Sequence, residues 1–193
     1  MNPFDFLSSM DQWLFLKINQ GLGTPTLDPF FLFLTDAHKN PAFVLLALGL
    51  LSFFSFKKFG KSFWKVLILV ALTTGLTDLI GYRVLKKNIE RVRPFQDESF
   101  KEQVRLVGMA HGPSFPSNHA ANSFAAAASL SFFFPPARYF FYTYAGIVAF
   151  SRVYVGVHYP LDVFFGALLG LFVSFLFFRI FKKKLKSFTG PKA

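Results

Sequence analysis

The sequence predicts an all-α integral membrane protein, a single domain over residues 1–193 with five to six transmembrane helices. Three observations carry that prediction. Hydrophobic residues make up 53% of the chain, with 30 phenylalanines and a mean hydropathy of +0.42, too apolar for an ordinary soluble domain. The apolar residues gather into runs near the length that crosses a bilayer core, about 17–25 residues. The charged residues fall between those runs and at the C-terminal end, so the net charge of +11 lines no single polar face. That distribution argues for membrane lipids as partners and against nucleic acid.

The elements follow in order. Residues 1–10, MNPFDFLSSM, lack the basic start and small-residue cleavage site of a signal peptide. Beyond them, Phe4, Phe6, Leu7, Trp13, Leu14 and Leu16 alternate with Asp5, Asp11, Gln12 and Lys17. Gly21, Gly23 and Pro25 break that run, and LDPFFLFLTD follows. The pattern predicts two short amphipathic helices in the membrane interface within 1–40. Residues 12–35 as a first span would make the sixth helix. Five spans are predicted at 41–56, 62–85, 117–134, 139–155 and 160–181, within a bundle over 41–182. A basic cytoplasmic tail over 183–193, entered through FKKKLK at 181–186, fits anionic lipids of the inner leaflet. Loops 56–62 and 135–138 are short, whereas Lys86 to Pro116 is long enough to suggest function.

Charge sets the orientation. Helix parity places 56–62, 135–138 and the tail on one side, which carries Lys57, Lys58, Lys61 and Arg138 and no acid. Every Asp and Glu except Asp78 falls on the other side or in residues 1–40. The basic side is therefore predicted to be cytoplasmic, with the long loop outside.

Three polar clusters fall on that outer side: KKNIERVRP at the end of the second span, PSNH opening the third, and SRVYVGVHYPLD joining the fourth to the fifth. Each residue type has a use. Lys86, Arg93 and Arg152 can neutralise a phosphate dianion, and guanidinium binds its oxygens in pairs. Ser117 can N-cap the third span, leaving backbone N–H groups and the positive helix end toward an anion. His158 and Asp162 are one turn apart, so Asp162 can accept from one ring nitrogen and leave the other to attack. His119 can protonate the leaving oxygen. The cations stabilise the charge, so neither a metal nor another cofactor is required. Lys87 and Arg91 read as interfacial side chains that carry their charge to the membrane surface. His38 reads as an interfacial bystander. His111 lies near enough in sequence to PSNH to touch a substrate. Asp78, within a span, needs a polar partner or a wet cavity.

Read as K-x6-R-P, P-S-N-H and S-R-x5-H-x3-D, the clusters together resemble the three-part signature of the type-2 phosphatidic acid phosphatase superfamily over residues 86–162. The resemblance is nearest to its small bacterial members, among them undecaprenyl-diphosphate phosphatases. It implies an active site at the outer membrane interface of a bacterial inner membrane, facing the periplasm or exterior. It implies His158 as a nucleophile that forms a phosphohistidine, Asp162 orienting it, and His119 as general acid. Lys86, Arg93, Ser117, Asn118 and Arg152 would hold the phosphate. Asn118 replaces the family's usual glycine, and a side chain there is expected to bear on substrate choice. The function implied is hydrolysis of a lipid phosphate or diphosphate, with undecaprenyl diphosphate favoured. The alternatives are a lipid phosphotransferase, or a phosphatase of lipid A, phosphatidylglycerol phosphate or phosphatidate. More remote is an inactive phospholipid-binding or transport protein. No obligate protein partner is evident.

Overall fold

A computed structural model describes the backbone of residues 3–189 and the side chains of residues 5–181. The described residues are helical and contain no strand. Helix α1 (Pro3–Asn19) and α2 (Asp28–Asp36) precede the predicted bundle. Helix α3 (Pro41–Phe59) starts at Asn40, whose side chain accepts from the N–H groups of Ala42 and Phe43, with Pro41 in the first turn. It ends at Gly60, which takes φ 56°. Helix α4 (Phe63–Leu79) runs on through a π turn (Ile80–Leu85) into α5 (Lys86–Asn88). Helices α6 (Asn118–Phe133), α7 (Arg138–Tyr154) and α8 (Pro160–Thr189) complete the chain. The helices thus stand where the five apolar runs placed them. The tail over 183–193 lies outside the residues whose side chains are described.

Among the described residues, two helical stretches, Pro41–Asn88 and Pro160–Phe181, are long and apolar enough to cross a membrane. Their most apolar windows are only 11% and 28% buried inside the protein. Leu45 is 70% exposed and Phe175 62%, so this apolar surface faces outward. An apolar medium satisfies such a surface, and water does not. Helices α6 and α7 are shorter, at 16 and 17 residues.

Helix α6 is the central element, packed against α4, α7 and α8. Its contact with α8 is built from small residues one turn apart. A Cβ added at Gly166 would lie 2.5 Å from Ser117 O, and one at Gly170 would lie 2.1 Å from Ala121 O. The Ser174 hydroxyl continues the row, donating to Ala125 O at 3.2 Å. Small residues let two backbones approach closely where no water drives association. That contact seats the start of α6 against the start of α8, where the Ser117 N–H donates to Asp162 O at 2.9 Å.

Helix α1 is inserted more firmly than an interfacial helix need be. It presents Phe6, Leu7, Met10, Trp13 and Leu14 outward and buries Asp11, Phe15 and Asn19, spaced four apart. Phe15 packs with Phe100, Val153 and Tyr159. The Asn19 amide donates to Arg105 O and Tyr154 O, each at 2.8 Å, and accepts from the Arg105 N–H at 2.8 Å. Beside it, Asp28 pairs with Arg105 and accepts from the Tyr154 hydroxyl at 3.0 Å. The N-terminal segment and the long loop are therefore locked together at the end of α7.

Candidate active site

His158 lies in the turn between α7 and α8, and that turn is fixed from several sides. Gly156 takes φ 87°, and a Cβ there would meet Arg105 O at 2.8 Å, so glycine is required. The N–H groups of Val157 and His158 both donate to Arg152 O at 3.2 Å. Val155 O accepts from Val107 and Gly108 at 3.1 Å, docking the long loop. His158 is 2% exposed. Its Nδ1 faces Asp162 Oδ2 at 3.4 Å, long for a hydrogen bond but within ion-pair range. Its Nε2 faces Arg93 Nη1 at 3.3 Å. Burial drives the His158 pKa down to about 3 against the opposing pull of Asp162. The imidazole is therefore neutral near pH 7, with a lone pair free to attack.

The predicted cations surround it. Arg93 donates from Nε to Gly112 O at 2.7 Å, from Nη1 to Val157 O at 2.8 Å, and from Nη2 to His111 O at 2.9 Å and Pro113 O at 3.1 Å. Lys86 Nζ donates to Pro113 O at 2.6 Å. Arg152 donates from Nη1 to the Thr35 hydroxyl, and its buried Nε has no acceptor among the described residues. Lys86 is within electrostatic reach of Arg93, Arg152 and Asp162. His119 is within reach of Arg152 and His158. The structure thus brings Lys86, Arg93, His119, Arg152, His158 and Asp162 together, from four helices, the long loop and the turn before α8.

Ser117 occupies the predicted N-cap position, but its hydroxyl makes no cap. Instead, its Oγ is buried without a partner. The first N–H groups of α6, at Asn118, His119 and Ala120, have no intrahelical acceptor by the geometry of a helix start. Unpaired donors at a helix N-terminus suit an anion.

Three further sequence expectations change, for Asn118, His38 and Arg91. The Asn118 side chain is held by Asp78 inside the bundle. Its Nδ2 donates to Asp78 Oδ1 at 3.0 Å, as the Asn122 amide does at 2.8 Å. Gly81 makes room for it, since a Cβ there would lie 3.0 Å from Asn118 Oδ1. Asp78 accordingly finds its polar partners inside the bundle. His38 is not a bystander: its ring lies edge-on to His119, with centroids 5.0 Å apart. His111 contributes its carbonyl to Arg93, while its side chain is exposed. Arg91 is not a surface side chain either, although Lys87 is exposed as expected. Arg91 bridges Asp162 Oδ1 at 2.7 Å and Asp11 Oδ2 at 2.6 Å. Burial works against its charge, but Asp162 and Asp11 outweigh burial and hold its pKa above the ordinary value.

Asp11, Thr35, His38 and Arg91 were therefore missed by motif reasoning. The one available signal was the Asp11, Phe15, Asn19 row, a polar face with helical spacing on a helix otherwise apolar outward.

Residues 62–186 match the model of the PAP2 superfamily. The chain belongs to that superfamily. It is 32% identical to a lipid A 4'-phosphatase of Bacteroides thetaiotaomicron, over 93% of this chain and 80% of that one. A lipid A 4'-phosphatase of Porphyromonas gingivalis is 28% identical over 92% of this chain and 75% of its own. The undecaprenyl-diphosphatase BcrC of Bacillus subtilis is 29% identical over 84% of this chain and 79% of its own. Among solved PAP2 structures, the transmembrane phosphatidylglycerolphosphate phosphatase of Bacillus subtilis aligns with a TM-score of 0.69 at 27% identity, covering 94% of this chain and 89% of that one. Aquifex aeolicus LpxE aligns with a TM-score of 0.62 at 29% identity, covering 86% and 93%. The PAP2 match begins at residue 62, so Asp11, Thr35 and His38 lie outside it.

Proposed function

We propose that this PAP2 protein is an integral membrane phosphatase that removes phosphate from a lipid through a phosphohistidine on His158. The observation that carries this reading is the His158 ring itself. One nitrogen faces Asp162 and the other faces Arg93, at 3.4 and 3.3 Å, inside a ring of cations. In the first step Nε2 attacks phosphorus and forms the P–N bond. The bond from phosphorus to the lipid oxygen breaks, and that oxygen takes a proton from His119. The Nδ1 proton stays on His158, stabilised by Asp162. In the second step water attacks phosphorus, gives its proton to His119, and the P–N bond breaks to release phosphate. Arg93, Arg152 and Lys86 offset the negative charge of the transferring group, and the α6 N–H groups and Ser117 Oγ supply further donors. A chain of this kind needs no metal for charge neutralisation.

For the substrate, a lipid A phosphate ranks ahead of undecaprenyl diphosphate. Two lipid A 4'-phosphatases align over 93% and 92% of this chain, against 84% for the undecaprenyl-diphosphatase. The bundle is read as five spans with α1 and α2 in the interface, the site at the outer face, and the C-terminus in the cytoplasm. The one-sided placement of lysine and arginine supports that orientation. Purified protein in detergent, offered lipid A, undecaprenyl diphosphate, phosphatidylglycerol phosphate and phosphatidate, should release phosphate fastest from lipid A. Fastest release from undecaprenyl diphosphate would reverse the substrate ranking. Transfer of the phosphate to a second lipid, with no free phosphate, would make the protein a phosphotransferase.

A further inference from the structure

We infer that Asp11 and Arg91 form a positioning device for Asp162, and through it for His158. The inference rests on the phosphatase reading above. Arg91 divides its two terminal nitrogens between two carboxylates on different helices, Asp162 Oδ1 at 2.7 Å and Asp11 Oδ2 at 2.6 Å. Both carboxylate side chains are 0% exposed. Without the guanidinium between them, their juxtaposition would be repulsive. The remaining oxygens are also committed. Asp11 Oδ1 accepts the Leu161 N–H at 2.9 Å, tying α1 to the first turn of α8. Asp162 Oδ2 accepts the Tyr159 N–H at 2.9 Å and faces His158. Arg91 lies over the Tyr159 ring, 4.1 Å from its centroid, which fixes the plane of the fork. With one oxygen held by Arg91 and the other by Tyr159, the Asp162 carboxylate cannot rotate away from His158 Nδ1. Lysine could supply the charge but not the two-way fork.

The device has a readout that simple loss of packing lacks. His158 is faced by Asp162 from α8, Arg93 from the long loop, Arg152 from α7 and His119 from α6. Asp162 is further faced by Arg91, Asp11 and Lys86. Removing Arg91 frees Asp162 to hold a proton on His158, so the acid limb of kcat/KM moves to higher pH. Removing the Asp11 charge leaves Arg91 to Asp162 alone, so the limb stays or moves lower.

The experiment uses the full chain in detergent and a lipid phosphate it hydrolyses. If wild type releases no phosphate, or His158→Ala remains active, the phosphatase reading fails and not this inference alone. With an active wild type, Arg91→Gln should lower kcat by about 10- to 100-fold, the scale seen when a group that orients a metal-ligating side chain is removed. Its KM should stay within about twofold, since no substrate contact is lost. Its acid limb should rise. Arg91→Lys should restore the limb but not kcat, and Asp11→Asn should lower kcat without raising the limb. The inference is overturned if Arg91→Gln keeps wild-type kcat, or if Arg91→Gln and Asp11→Asn shift the limb the same way. Should Arg91→Gln not fold, wild-type kcat in both Arg91→Lys and Asp11→Asn overturns it.

Discussion

At the scale of single residues, the candidate site separates side chains that the proposed function assigns to a phosphate from side chains that hold them. Asn118 illustrates the second kind. Its backbone N–H stays at the start of α6, as a glycine's would, while its amide reaches back to Asp78 on α4. Asn118→Gly should therefore lower stability by about 1.5–3 kcal/mol, the worth of a hydrogen bond to a charged group. It should leave the order of lipid preference unchanged. Thermal unfolding in detergent and the lipid panel together check this, and a reordered preference would return the side chain to the pocket. The predicted residues Lys86, Arg93, His119, Arg152, His158 and Asp162 were legible because each stands at a fixed spacing in a polar cluster next to an apolar run. Arg91 stands inside the same cluster, yet nothing in KKNIERVRP says which basic side chain turns inward. Only the buried pair of carboxylates decides it.

At the scale of elements, the site depends on how closely α6 and α8 approach. Gly166 and Gly170 stand against the Ser117 and Ala121 carbonyls, and backbone atoms there cannot yield as a flexible side chain would. Gly170→Ala should cost about 1–3 kcal/mol, the usual range for overpacking. It should also lower kcat by lengthening the contact between Ser117 N–H and Asp162 O, about two turns earlier along α8. A variant with unchanged melting temperature and unchanged kcat would show that this contact is looser than described. The apolar runs fixed the helices to within a few residues, since exposed leucine and phenylalanine over that length leave no other stable arrangement. The roles of α1 and α2 were not legible in that way. Their outward faces match an interfacial helix, but Asp11, Asn19 and Thr35 on them reach partners 80 to 150 positions away in sequence, which no local period encodes.

At the scale of the whole molecule, charge asymmetry and site position make one joined claim: the basic side is inside and the chemistry outside. The chain has no cysteine, so single cysteines report without background. Lys61→Cys and Met109→Cys replace exposed residues on the short and long loops. An impermeant thiol reagent applied to intact cells should label position 109 and not position 61. The reverse pattern would invert the topology. The central claim remains the covalent step on His158, and rapid quenching with a lipid radiolabelled in its phosphate tests it most directly. Wild type should yield acid-labile phosphate bound to protein within the first turnover, and His158→Ala should yield none and release none. His119→Ala should still trap the phosphoprotein from a substrate whose leaving group departs without a proton, while losing about 10²–10⁴-fold on lipid substrates. Acid-labile phosphoprotein in His158→Ala, together with its loss in His119→Ala, would contradict the account and reverse the two histidines.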